Sequence, residues 1–168
     1  GNSHTKLGAS SIYWYGEDDY AYLGESLAKG DLNQDGQAEL FMGAPQEDHV
    51  YVFFGATSLG IRSTASAHID IEGGGGEFGS AIAVADFTGD GVPDVAIGEP
   101  GDDDTITDRG AVWLFDGNPM GGSMDITDAA AKLVGDSTST KPKAGGGLAA
   151  PGDVDGDGYE DLLVGASG

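Results

Sequence analysis

Short apolar runs recur along this chain of 168 residues, each too brief and too firmly bounded by glycine or acid for a helix. Glu39-Leu40-Phe41-Met42-Gly43, Asp94-Val95-Ala96-Ile97-Gly98 and Asp161-Leu162-Leu163-Val164-Gly165 each start on an acid, run apolar and stop at glycine. Buried strands read this way. Residues 26–31, 81–86 and 147–153 predict a partner strand ahead of each, leaving an acidic loop between the two. Residues 49–54 and 111–115 predict third strands, and the more polar 67–71 and 130–134 fourth strands. Ser11-Ile12-Tyr13-Trp14-Tyr15 precedes the first set as a fourth strand would. The expectation is an all-β chain of four-stranded antiparallel units, two complete and one partial at each end.

The loops between first and second strands carry the candidate chemistry: Asp31-Leu32-Asn33-Gln34-Asp35-Gly36-Gln37-Ala38-Glu39, Asp86-Phe87-Thr88-Gly89-Asp90-Gly91-Val92-Pro93-Asp94 and Asp153-Val154-Asp155-Gly156-Asp157-Gly158-Tyr159-Glu160-Asp161. Oxygen side chains fall at positions 1, 3, 5 and 9 of each, a donor set suited to a hard cation with six to eight oxygen ligands at ~2.3–2.6 Å. Position 6 is always glycine, as a chain curling round an ion requires a residue at positive φ. Position 7 (Gln37, Val92, Tyr159) varies freely, as expected if it lends only its carbonyl. An EF-hand would place a bidentate Glu at position 12, on a helix; here position 12 is Met42, Ile97 or Val164.

At these residues the chain resembles the FG-GAP repeats of the integrin α-subunit β-propeller and its bacterial relatives. Phe78-Gly79 opens the second repeat, with Leu23-Gly24 and Gly145-Gly146 in the matching places, and Gly43-Ala44-Pro45, Gly98-Glu99-Pro100 and Gly165-Ala166-Ser167 close the second strands. Counting from Gly24, Gly79 and Gly146, the first loop Asp always comes 7 residues later. The departures are the missing Phe in repeats one and three and the missing Pro in repeat three. The resemblance implies propeller-type blades, one FG-GAP region over 1–168 with repeats at about 1–22 (partial), 23–77, 78–144 and 145–168 (partial), and a larger propeller or an assembly. First loop aspartates 55 and 67 residues apart fit propeller units rather than short solenoid turns.

The 31 Gly and 6 Pro supply turns, and the absence of Cys excludes disulfides, leaving core burial and metal to hold the units together. It also points to a bacterial rather than an animal source. No apolar run spans a membrane, no signal peptide is visible, and Gly1-Asn2-Ser3-His4 reads as an expression scar or a processed start. A net charge of −22 argues against nucleic acid and anionic membrane as partners. Ten of the acids occupy candidate ligand positions in the loops, where they would repel one another without a cation. Glu17-Asp18-Asp19, Glu47-Asp48 and Asp102-Asp103-Asp104 read as solvated loops.

Other constellations carry less. Gly135-Asp136-Ser137-Thr138 mimics an esterase nucleophile block, but no His follows it to act as base. Asp136-x-Thr138-x-Thr140 mimics an adhesion-type metal motif without the α/β sheet that such a motif needs. His4, His49 and His68 lack zinc spacing. Trp14, Trp113 and the tyrosines read as strand packing, with 13–22 dense enough to suggest a contact surface. The resulting expectation is three Ca²⁺ sites in a secreted or cell-surface module, extracellular or periplasmic, that is not an enzyme and mediates adhesion or protein or glycan binding. The alternative is an accessory domain of a secreted enzyme such as a phospholipase. Site two should be weakest, since Thr88 offers a neutral hydroxyl, and site three tightest with four acids. Open blade edges suggest self-association, the strand at 11–15 pairing with 161–165 or with another copy.

Overall fold

In a computed structural model of the chain, which describes residues 13–16, 21–55, 61–103, 109–117, 120–136 and 142–167, the apolar runs form strands close to where the pattern places them. After β1 (Tyr13–Tyr15), the first blade is built from β2 (Leu27–Gly30), β3 (Glu39–Ala44), β4 (His49–Phe53) and, following β5 (Ile61–Ser63), β6 (Ile69–Glu72). The second contains β7 (Ala81–Ala85), β8 (Asp94–Glu99), β9 (Ala111–Phe115) and, after β10 (Gly122–Asp125), β11 (Ala131–Val134). A third begins with β12 (Ala144–Gly152) and β13 (Asp161–Ala166). Within each blade neighbouring strands pair antiparallel, in chain order from inner to outer. The described residues contain no α-helix, only 3-10 turns at Thr64–Ser66 and Ile126–Asp128.

Two further pairings were not legible in the strand pattern. β10 lies parallel to β6, and β5 lies parallel to β1 with Tyr13 opposite Ile61. In both cases the segment between a blade's third and fourth strands reaches back to the fourth strand of the blade before it, covering an open edge. β1 thus stands to β5 as β6 stands to β10. Within the chain its partner is β5, not 161–165.

The blades stack face to face. Phe41, Val50, Val52, Ile69 and Ile71 of the first meet Phe78, Ile82, Val95, Ile97 and Phe115 of the second. Ala83, Ala96 and Val112 form a smaller core packed by Leu148, Leu162 and Val164 of the third. β8 is thus buried on both faces, which is why it reads as an unbroken apolar run rather than an alternating one. The family glycines make the close approach possible. A Cβ on Gly43 would overlap the Gly79 carbonyl, and one on Gly98 would overlap the Gly145 carbonyl. Ser26 Oγ donates to that same Gly79 carbonyl, and the Phe78 ring meets Phe115 edge to face with centroids 6.5 Å apart.

The third repeat departs from the even count of seven. The positive-φ glycine in the place of Gly24 and Gly79 is Gly145, not Gly146. The additional residue enters further along β12, where the register shifts between Ala149 and Gly152. Pro151 falls in that irregular stretch, and a residue without an N–H fits a bulge better than a regular ladder.

Candidate metal loops

Each acidic loop joins the first and second strands of its blade, and its aspartates first organise the backbone. In loop 1 the Asp31 carboxylate accepts from the N–H groups of Asp35 and Gly36 at 3.0 and 2.9 Å, and Asp35 accepts from Gln37 at 2.8 Å. In loop 2 Asp86 accepts from Gly89 and Gly91, and Asp90 from Val92. In loop 3 Asp153 accepts from Gly156, Asp157 and Gly158, and Asp157 from Tyr159. Asn33 and Asp155 each accept from the N–H at position 5. Position 6 takes positive φ in all three (Gly36 85°, Gly91 89°, Gly158 97°). So does position 4: Gln34 56°, Gly89 75°, Gly156 81°. The glycines at position 4 of loops 2 and 3 were the signal in the sequence for that second turn.

The carboxylates then converge to different degrees. Asp31, Asp35 and Glu39 offer one oxygen each within 4.8 Å of one another, as do Asp153, Asp155 and Asp161. Loop 2 has no such group among the described residues. There Asp94 is held on both sides, by the Thr88 N–H at 2.8 Å and the Gly117 N–H at 3.1 Å. Glu39 is a methylene longer. Its Oε2 accepts from Leu32 N–H at 2.7 Å, while its Oε1 is buried with no hydrogen-bond partner. The residue is 0% exposed, and a buried carboxylate oxygen without a partner costs more than the ~1–3 kcal/mol of a neutral orphan. A cation held with Asp31 and Asp35 would answer that oxygen. The residues present therefore fit an oxygen-ligated ion at loops 1 and 3, and loop 2 shares their backbone form.

Side chains at position 7 are not all idle. Tyr159 packs over loop 2, where a Cβ on Gly89 would overlap its ring.

Away from the loops, a cavity of about 410 Å³ opens at the seam of blades one and two, lined by Gly74, Gly75, Gly76, Glu99, Trp113 and Lys132 among others. Glu99, which stands where the first repeat has Ala44, is 1% exposed. It accepts from Gly74 and Gly76 N–H and from Trp113 Nε1. Lys132 sits 4.5 Å from the Trp113 ring centroid and pairs with Asp102 at 2.8 Å. The role of Glu99 was missed in the sequence, although its replacement of alanine marks it.

The surplus acids are less solvated than expected. Asp102 is tied to Lys132, Asp48 accepts from Phe78 N–H, and Glu47 from the Tyr51 hydroxyl. His49 stacks on Tyr51 and meets Asp70 at 2.6 Å, and His68 stacks on Phe54. His4, the block at 137–141 and most of 13–22 lie outside the described residues or outside their described side chains. Among charged groups, Asp125 is held below the usual carboxylate value by the Thr127 hydroxyl and N–H.

The family model for the FG-GAP repeat matches residues 23–61, 78–115 and 145–168. Similar proteins include phosphatidylinositol-glycan-specific phospholipase D of Rattus norvegicus, 36% identical over 98% of this chain and 21% of the relative. Integrin alpha-5 of Xenopus laevis is 35% identical over 94% of the chain and 16% of its own length. Integrin alpha-IIb of Homo sapiens is 31% identical over 91% and 15%. The chain thus spans about a fifth or less of each of these relatives.

Proposed function

Because this chain belongs to the FG-GAP repeat family, we propose that it is a calcium-binding propeller module of a secreted or cell-surface protein, with structural calcium and with loops that serve adhesion or hold a protein or glycan partner. The observation that carries the calcium reading is Glu39, which has a buried, unpartnered Oε1 and a carboxylate oxygen within 4.8 Å of those of Asp31 and Asp35. Asp31, Asn33, Asp35 and Glu39 would hold the first ion together with the carbonyl of Gln37. Asp86, Thr88, Asp90 and Asp94 with the carbonyl of Val92 would hold the second, and Asp153, Asp155, Asp157 and Asp161 with that of Tyr159 the third. When bound, calcium supplies the positive charge that lets these carboxylates lie together, and no bond is made or broken there. Sites of this modular kind, with affinities of ~10⁻⁴–10⁻³ M, fill where calcium is millimolar, which favours an extracellular setting. Consistent with that, no described helix is long and apolar enough to cross a membrane. The partner surface we favour is the cavity at the blade seam, where an indole, an ammonium and carboxylates stand together.

The second reading makes this the non-catalytic accessory region of a secreted enzyme, and it is favoured by the match to a phospholipase D over 98% of the chain. The calcium reading is tested by calorimetric titration of chelator-treated protein. Three calcium ions per chain with clearly weaker magnesium binding is the expected result, since flexible loops with carbonyl donors suit calcium's loose geometry better than magnesium's octahedron. Equal or tighter magnesium binding would overturn it.

A further inference from the structure

The three loops lie side by side, and loop 2 is gripped by both neighbours. From position 4 of loop 1, Gln34 Nε2 donates to the carbonyl of Gly91 at 2.7 Å, across 57 residues of sequence. From loop 3, the Tyr159 ring covers Gly89, and Glu160 N–H donates to the carbonyl of Asp86 at 3.4 Å. These contacts fall on the ion-binding frame. Gly91 lies between Asp90 and Val92, Asp86 is the first ligand position, and Tyr159 supplies position 7 of its own loop. Gln34 also holds a left-handed backbone, φ 56°, at a position where the other two loops use glycine. A side chain that keeps a sterically costly conformation and bonds across to the next loop has a reason to be there other than the turn.

We propose that the three loops bind ions as a coupled array in which loop 2 is the relay, with Gln34 and Tyr159 as its positioning residues. The proposal rests on the calcium reading. Convergence of Asp31, Asn33 and Asp35 on one ion fixes Gln34 between them. That fixes the Gly91 carbonyl and with it positions 5 to 7 of loop 2. On the other side, convergence of Asp155 and Asp161 fixes the segment between them, with Tyr159 and Glu160, which holds positions 1 and 4 of loop 2. Ordering that loop 2 would otherwise undergo alone is then already accomplished when its neighbours are filled, which is coupling without a change of fold. Loop 2 has most to gain, because its acids do not gather and Asp94 is engaged by two N–H groups. By linkage, an ion in loop 2 strengthens its neighbours by the same factor.

The test is calorimetric calcium titration of the full chain, chelator-treated, beside Gln34→Gly, which removes the cross-loop bond while easing the backbone. A melt in EDTA confirms that the variant folds. The expected result is a loss of roughly three- to tenfold in affinity at the weakest site of Gln34→Gly, the worth of one net hydrogen bond. Disabling loop 1 with Asp31→Asn and Asp35→Asn should weaken the loop 2 site similarly, and should add little once Gln34 is glycine, the signature of a shared path. Three calcium ions bound with loop 2 affinity unchanged in Gln34→Gly would overturn the coupling and leave the calcium reading standing. A wild-type chain that binds no calcium would overturn both.

Discussion

Replacing Glu39 by glutamine should raise stability without calcium and shrink the stabilisation that calcium brings. The side chain is fully buried, one oxygen accepts from Leu32 N–H, and the other has no protein partner. Glutamine keeps the first bond through its carbonyl oxygen. In place of Oε1 it puts an uncharged NH₂. Without calcium the change removes an uncompensated buried charge and relieves repulsion within the cluster, a gain of roughly 1–3 kcal/mol if Oε1 is priced as an unsatisfied buried group. With calcium it removes a charged ligand. At about 10 mM calcium, a site with an affinity of ~10⁻⁴–10⁻³ M contributes about 1.4–2.7 kcal/mol, or about 3–11 °C for a domain of this size.

Thermal melts of wild type and Glu39→Gln in calcium and in EDTA therefore form a four-point test. The variant should melt above wild type in EDTA, and calcium should raise its melting temperature by less than it raises that of wild type, the shortfall reaching about 3–11 °C. A shift of the same sign and size in both buffers would refute the reasoning, because Glu39 would then be an ordinary buried acid whose free oxygen faces no ion.

The elements set by local pattern were legible, and those set by contacts across blades were not. Loop positions 1, 3, 5, 6 and 9 are set by contacts within each loop, so each repeat writes them independently. The strands starting at Glu39 and Asp94 are buried and read as such, whereas the equally apolar run from Asp161 is half-buried to exposed. β5 and β10 are short segments whose only ladder among the described residues is with a strand more than forty residues upstream, and Gly122-Ser123-Met124-Asp125 has no alternation to announce it. The extra residue in β12 was hidden because Gly145 and Gly146 are adjacent glycines, and only backbone conformation tells which takes the left-handed turn. Gln34 and Tyr159 are likewise invisible within one loop. Each acts on its neighbour's backbone, which carries no side-chain signal.

Asp157→Ala, which deletes one of four acids in loop 3, should lower the melting temperature more in calcium than in EDTA; equal losses would mean that the loop holds no metal. Gly98→Ala drives a methyl into the Gly145 carbonyl at the second blade seam and should cost roughly 1–3 kcal/mol, about 2–12 °C in melting temperature, whatever the calcium level. A neutral Gly98→Ala would show that the blades do not approach there. Deleting residues 1–16 removes β1, which pairs in parallel with Ile61–Ser63 of the same chain, so the number of chains per particle should stay constant while amides 61–63 exchange faster with solvent. Faster exchange at 161–165 instead, or a fall in the number of chains per particle, would mean that β1 closes onto the last repeat or onto a second copy, against the pairing seen here.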